Sequence, residues 1–288
     1  MKLPVGIWIS GWLVFLLLGS FHPPMSGAEE KVATSVIVED VMGRPGKPVM
    51  LKAQVLRDGI LGSVPVGGEK ISFQVQGKAV GTALTGGDGH AFLEFVTPMR
   101  GNQKVTAKVE ASSRVQESDG VGTLASWERR RPILLVDLSA LIKEEGNPRL
   151  PLPTLPFNLN FNALGEPETD AADVLHKLGK YYYNVLYLYR DPGASFVEAR
   201  EWLRKHKFPV GFTKAIKPGP EALTELIEEL KEGGWDNVNA GIGRAPDFAE
   251  VLVKNRIQVV ILPEGDQDVE FPRRAKIVKN WKEVRRHL

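Results

Sequence analysis

Carboxylates and cations gather at four separated places where an apolar run is about to end. These are Asp137-Leu138-Ser139, Tyr189-Arg190-Asp191, Lys214 with Lys217, and the segment from Gly241 to Asp247, which includes Arg244. A parallel strand-and-helix sheet brings the carboxyl ends of its strands together, and ligands bind beyond them. One carboxylate on a first strand, a polar turn on a second, a lysine and a second carboxylate form a set that suits phosphoryl transfer. Two carboxylates hold Mg²⁺, the lysine offsets phosphate charge, and one carboxylate attacks in line. Each group also has a plain structural use. Asp137 fits a strand end or an N-cap, Lys214 and Lys217 fit a solvated loop, and Asp247, after Pro246, fits the opening of a helix over Phe248–Val253.

Other chemistries are excluded by composition. The chain has no cysteine, so there is no disulfide, thiolate zinc site, cysteine nucleophile or lipid-modified cysteine. Its 5 histidines are scattered without HxH or HExxH spacing, which argues against a histidine-built metal centre. A metal here would be a hard cation held by carboxylates. With a net charge of +2 over 288 residues, nucleic acid is not an expected partner.

These candidates must be positioned by elements of two kinds. Ser35–Val38, Val49–Val55, Ile71–Val75, Ala91–Val96 and Lys104–Val109 alternate apolar and polar residues, with glycine clusters between them. That pattern predicts a two-sheet antiparallel sandwich over residues 29–111. Residues 112–131 are polar, end in Arg129-Arg130-Arg131, and read as a linker. From residue 132 to 288 strands alternate with helices. Ile133–Val136 is a continuous apolar run, as in a parallel strand buried on both faces, and Asn184–Tyr189 and Ile257–Leu262 repeat the type. Helices are predicted over Ala171–Leu178, Ala194–His206 and Pro220–Lys231, the last with Leu223, Leu226, Ile227 and Leu230 on one stripe. Residues 143–170 are an aperiodic insertion. The fold class is thus an all-β sandwich followed by an α/β Rossmann-like domain. Tyr181-Tyr182-Tyr183 is expected in the core. The basic C-terminal stretch is expected to form a solvated helix with Ile277, Trp281 and Val284 turned inward.

The N-terminus carries Lys2, an uncharged stretch from Val5 to Phe21, and Ser26-Gly27-Ala28. Those are the parts of a secretion signal over residues 1–28, which predicts a periplasmic or extracellular protein. The alternative is an uncleaved membrane anchor, since about 17–19 apolar residues just span a bilayer.

Two resemblances sharpen this reading. Lys47-Pro48-Val49, the run from Phe73 to Thr85, Gly89-His90-Ala91 and Val105-Thr106-Ala107 resemble the bacterial immunoglobulin-like domains of invasin and intimin stalks, which act as spacers or binding platforms. Leu135–Ile142, Tyr183–Pro192, Trp202–Pro209, Lys214 or Lys217, and Ile242–Asp247 are similar to the haloacid-dehalogenase superfamily, in particular lipin-type and bacterial phosphatidate phosphatases. That likeness implies Asp137 and Lys214 as catalytic residues, Asp137, Ser139 and Asp247 around Mg²⁺, and Tyr189, Arg190, Lys217 and Arg244 at the substrate.

The departures decide the expectation. Ser139 stands where the family has its proton-donating aspartate, and a serine hydroxyl is no general acid near neutral pH. Ala140-Leu141 replaces Gly-Thr, and Tyr189 replaces a small hydroxyl residue. The expected function is therefore binding or scaffolding toward a phosphorylated or anionic ligand of the cell envelope. The alternatives are a Mg²⁺-dependent phosphatase with Asp137 as nucleophile, and a structural surface protein.

Overall fold

The computed structural model describes residues 31–59, 62–143, 164–190, 196–263 and 270–288. The signal segment, most of the 143–170 insertion and Asp191-Pro192 lie outside them.

The first half is an immunoglobulin-like β-sandwich. One sheet is β1 (Thr34–Val38), β3 (Pro48–Gly59) and β4 (Gly62–Pro65), with β7 (His90–Val96) paired to β3. The other runs β2 (Val41–Gly43), β9 (Ser118–Ser126), β8 (Gly101–Val109), β5 (Lys70–Val75) and β6 (Lys78–Leu84). The alternation acts as predicted. Leu51, Ala53 and Val55 of β3 meet Ile71, Phe73 and Val75 of β5 and Val105, Ala107 and Val109 of β8 in one core. Period-two strands put every second side chain on the inner face.

Residues 118–126 differ from the linker reading. They form β9, which pairs antiparallel with β8 from Val109↔Ser118 to Gly101↔Ser126. Polar residues and glycines hid the strand. Gly120 is required there, because a Cβ on it would lie 2.1 Å from the Val36 carbonyl oxygen of the facing sheet.

The second half is a six-stranded, wholly parallel sheet in the order β12 (Phe212–Ala215), β11 (Asn184–Tyr189), β10 (Ile133–Asp137), β13 (Val238–Gly243), β14 (Gln258–Ile261), β15 (Lys276–Ile277). Helices α1 (Ala171–Tyr181), α2 (Phe196–Lys205) and the short α5 (Trp281–Val284) cover one face, against Leu134, Val136, Val185, Tyr187 and Ile242. Helices α3 (Pro220–Glu232) and α4 (Pro246–Lys254) cover the other, against Ile133, Leu135, Leu186 and Leu188. The stripe Leu223, Leu226, Ile227 and Leu230 is buried as expected. Two expectations fail on exposure. Tyr181 and Tyr182 are exposed while only Tyr183 enters the core, because α1 runs through Tyr181 and turns these rings outward. Ile277 is also exposed, since it lies in edge strand β15 rather than on the helix, whereas Trp281 and Val284 are buried.

The halves share a wall. Leu124 of β9 belongs to the sandwich core, and its neighbour Ala125 belongs to the α/β core. Trp127 follows and meets Phe212 and Trp235 edge-on, each with ring centroids 6.4 Å away. Its indole N–H donates to Asn102 Oδ1 at 2.8 Å. Beside it the fully buried Asp40 carboxylate accepts from the backbone N–H groups of Thr123 (2.7 Å) and Thr213 (2.9 Å) and from Arg200 Nη1 (2.8 Å). Burial raises the Asp40 carboxyl above its ordinary value, against the lowering by Arg200 and the two N–H groups.

Candidate functional site

The sheet order places a topological switch point between β10 and β13. From β10 the chain winds outward through β11 to β12, then returns on the other side of β10 through β13 to β14. The crevice beyond the carboxyl ends of two such strands is where ligands bind in open α/β sheets. Asp137 ends β10 and Arg244 directly follows β13, so the two flank this crevice.

Strand parity sorts the candidates by face. Asp137 shares the parity of Ile133 and Leu135, and Arg190 that of Leu186 and Leu188, so both emerge on the α3–α4 side. Asp247 is brought to the same side by α4. Gly241 and Gly243 lie within β13, and Phe248 packs directly over them. A Cβ on Gly243 would sit 2.3 Å from the Phe248 ring, so the glycines let the first turn of α4 lie on the sheet.

The three charged groups form one bridged cluster. Arg190 Nη1 donates to Asp137 Oδ2 at 3.1 Å, and Arg190 Nη2 donates to Asp247 Oδ2. The Arg190 and Asp137 side chains are 9% and 4% exposed, whereas Asp247 is 30% exposed. Asp137 Oδ1 accepts from the Ser139 backbone N–H (3.0 Å) and from Ser139 Oγ (2.9 Å), capping the 3₁₀ turn Leu138–Leu141. Asp247 Oδ1 accepts from the Phe248 N–H at 2.8 Å. Desolvation works to lower the Arg190 pKa, but the hydrogen bond to Asp247 and the charges of both aspartates hold it above its ordinary value. Arg190 is therefore a permanent cation between two carboxylates.

This arrangement does not fit a divalent ion. Asp137 and Asp247 do converge, but their inward oxygens are taken by the guanidinium, and the Ser139 hydroxyl spends its proton on Asp137. Among the described residues no group of three or more His, Asp and Glu side chains is placed to hold a metal.

The remaining candidates are dispersed. Lys214 shares the Phe212 face of β12 and pairs with Glu229 of α3 at 3.3 Å, away from Asp137. Lys217 is exposed in the loop before α3. Tyr189 has the opposite parity to Arg190 and packs its ring in the core under α1 and α2, so it does not line the crevice. Arg244 also leaves on that face, where its buried guanidinium donates to Glu168 Oε1 at 2.9 Å. Sequence reasoning missed Glu168. It lies in the aperiodic insertion, 76 positions from its partner, and no local pattern marks it.

Neither a protein-family model nor a curated protein matches the chain. Among solved structures, fibronectin(III)-like modules of CbhA from Clostridium thermocellum are 14% identical over 34% of this chain and 49% of that one, with a TM-score of 0.26. The D00–D0 domain of intimin is 16% identical over 32% of this chain and 46% of that one, at a TM-score of 0.23. A CARDB domain from Pyrococcus furiosus is 15% identical over 33% of this chain and 97% of that one, at 0.24. The matched region thus spans about half of the CbhA and intimin structures.

Proposed function

We propose that this is an exported protein in which an immunoglobulin-like sandwich rigidly carries a non-catalytic α/β domain that binds a phosphorylated or anionic ligand of the cell envelope. The observation that carries this reading is Arg190. A carboxylate nucleophile must present a free oxygen to phosphorus, and a Mg²⁺-assisted attack needs its carboxylates open to the ion. At Asp137 one oxygen is committed to Ser139 and the other to Arg190. The lysine that would balance phosphate charge is engaged by Glu229 instead. The family likeness to haloacid-dehalogenase phosphatases is thus read as one of scaffold, with the chemistry replaced by an internal ion pair.

The test is phosphate release from p-nitrophenyl phosphate and from phosphatidate, with and without millimolar Mg²⁺, a concentration at which weak hard-cation sites fill. No turnover above that of an Asp137→Asn variant is expected. Mg²⁺-dependent release that Asp137→Asn abolishes would establish the phosphatase reading and end this one.

A further inference from the structure

We propose that the joint between the halves holds a binding site for a phosphate or sulfate group, gripped by Arg44 and Arg129. Two turns bring these arginines together. Arg44 lies between β2 and β3, in a turn closed by the Lys47 N–H donating to the Arg44 carbonyl at 3.1 Å. Arg129 lies just after β9, in a turn closed by the Arg131 N–H on the Glu128 carbonyl at 3.2 Å. Both side chains reach over Gly234, in the turn that leads from α3 to β13. Gly234 holds φ at 76° and has no side chain, and Nη2 of each arginine borders the space that a Cβ there would fill. One oxygen can therefore accept from both guanidinium groups. This turn stands at the amino ends of β10 and β13, where the Ile133 N–H donates to the Asn237 carbonyl. The site is thus at the other edge of the sheet from Asp137, and does not depend on whether Asp137 is catalytic.

The fold itself uses one of the two cations. Arg44 Nη2 donates to the Gly233 carbonyl at 3.0 Å, and its guanidinium lies over the ring of buried Trp235, 5.7 Å from the centroid. That is the ordinary service of a cation at the carboxyl end of a helix, here α3. Arg129 has no such duty. It is exposed, and among the described residues its side chain makes no hydrogen bond or ion pair. No carboxylate of the described residues pairs with Arg44 either. Glu128 is paired with Arg100 and Glu229 with Lys214, while Glu232 and Asp236, on either side of the turn, reach neither arginine. Like charges held side by side repel, and a shared oxyanion replaces that repulsion with charge-assisted hydrogen bonds. The fork of Arg44 is fixed by Gly233 and Trp235 before any ligand arrives, and guanidinium forks match the oxygens of tetrahedral anions.

The test is calorimetric titration of the protein at low ionic strength with inorganic phosphate, sulfate and glycerol 3-phosphate. Saturable binding of at least one is expected, reduced by added sodium chloride. Arg129→Ala should weaken it roughly tenfold or more, the worth of a hydrogen bond to a charged group. Its thermal unfolding without ligand should match the parent, because the side chain it removes is exposed and unbonded. Arg130→Ala removes the same charge from the neighbouring position and should leave binding unchanged. Tighter binding of glycerol 3-phosphate than of inorganic phosphate would assign the site to an esterified phosphate, and the reverse to the free ion. The proposal is overturned if none of the three anions binds, if Arg129→Ala binds as the parent does, or if Arg130→Ala costs as much as Arg129→Ala. Turnover of glycerol 3-phosphate that Asp137→Asn abolishes would sink the non-catalytic reading and leave this site standing, provided Arg129→Ala still weakens phosphate binding.

Discussion

The joint between the halves and the carboxyl edge of the sheet each bury carboxylate against guanidinium, in different proportion. At the joint one carboxylate, Asp40, meets one guanidinium, Arg200, together with N–H groups supplied by both halves. At the sheet edge two carboxylates, Asp137 and Asp247, share the single guanidinium of Arg190. The first network is balanced and closed, with the Asp40 side chain fully buried. The second keeps one negative charge in surplus and is open to water at Asp247. Stoichiometry, more than burial, separates the two networks, and only the second would expose paired carboxylates if its one cation were removed.

The largest effect should come from Arg190→Ala, which leaves two converging carboxylates uncompensated. A loss of about 3–5 kcal/mol is expected in urea unfolding, as when one partner of a buried ion pair is removed. Millimolar Mn²⁺ or Mg²⁺ should recover part of it, while the parent gains nothing. An equal gain by the parent would show that the arginine is no substitute for a metal. Asp40→Asn should cost about 1–3 kcal/mol by leaving buried donors unsatisfied. No divalent ion should rescue it, and rescue there would erase the contrast between the networks.

A smaller effect concerns pH. The folded Asp40 carboxyl holds its proton more tightly than the unfolded chain does, so its contribution is fully present below the ordinary value of 3.8. It is lost as pH rises through the raised folded value, a decline opposite in sign to that of a salt-bridged surface aspartate. Asp40→Asn should flatten that part of the stability–pH curve. Lys214→Ala should change stability by about 0.5 kcal/mol or less, because its pair with Glu229 is exposed. A larger loss would mean that Lys214 serves the buried cluster after all.

What was legible in the sequence followed from local periodicity. The alternation in β3, β5 and β8, the apolar run of β10 and the stripe of α3 each declare their own burial, so the two fold classes emerged without long-range information. The position of Asp137 at a strand end was equally readable. Its partner was not. Whether Arg190 faces substrate or Asp137 depends on the parity of β11 and the seating of α4, and the latter depends on Gly241 and Gly243 meeting Phe248. β9 escaped for a related reason, since its glycines answer to Val36 on another strand. Glu168 had no signal at all, being defined only by Arg244 far along the chain.

The strand that escaped has a mechanical consequence. Leu124 and Ala125 of β9 face different cores, and the same strand is hydrogen-bonded to β8 along its length. Tension applied between the first residues of the sandwich and the C-terminus must therefore pass through a ladder loaded in shear, in addition to the buried wall at Trp127. The two halves should bear load as one shaft rather than as beads on a string. In single-molecule extension they should give way in one event, and Trp127→Ala, costing about 3–5 kcal/mol of packing, should divide that event into two.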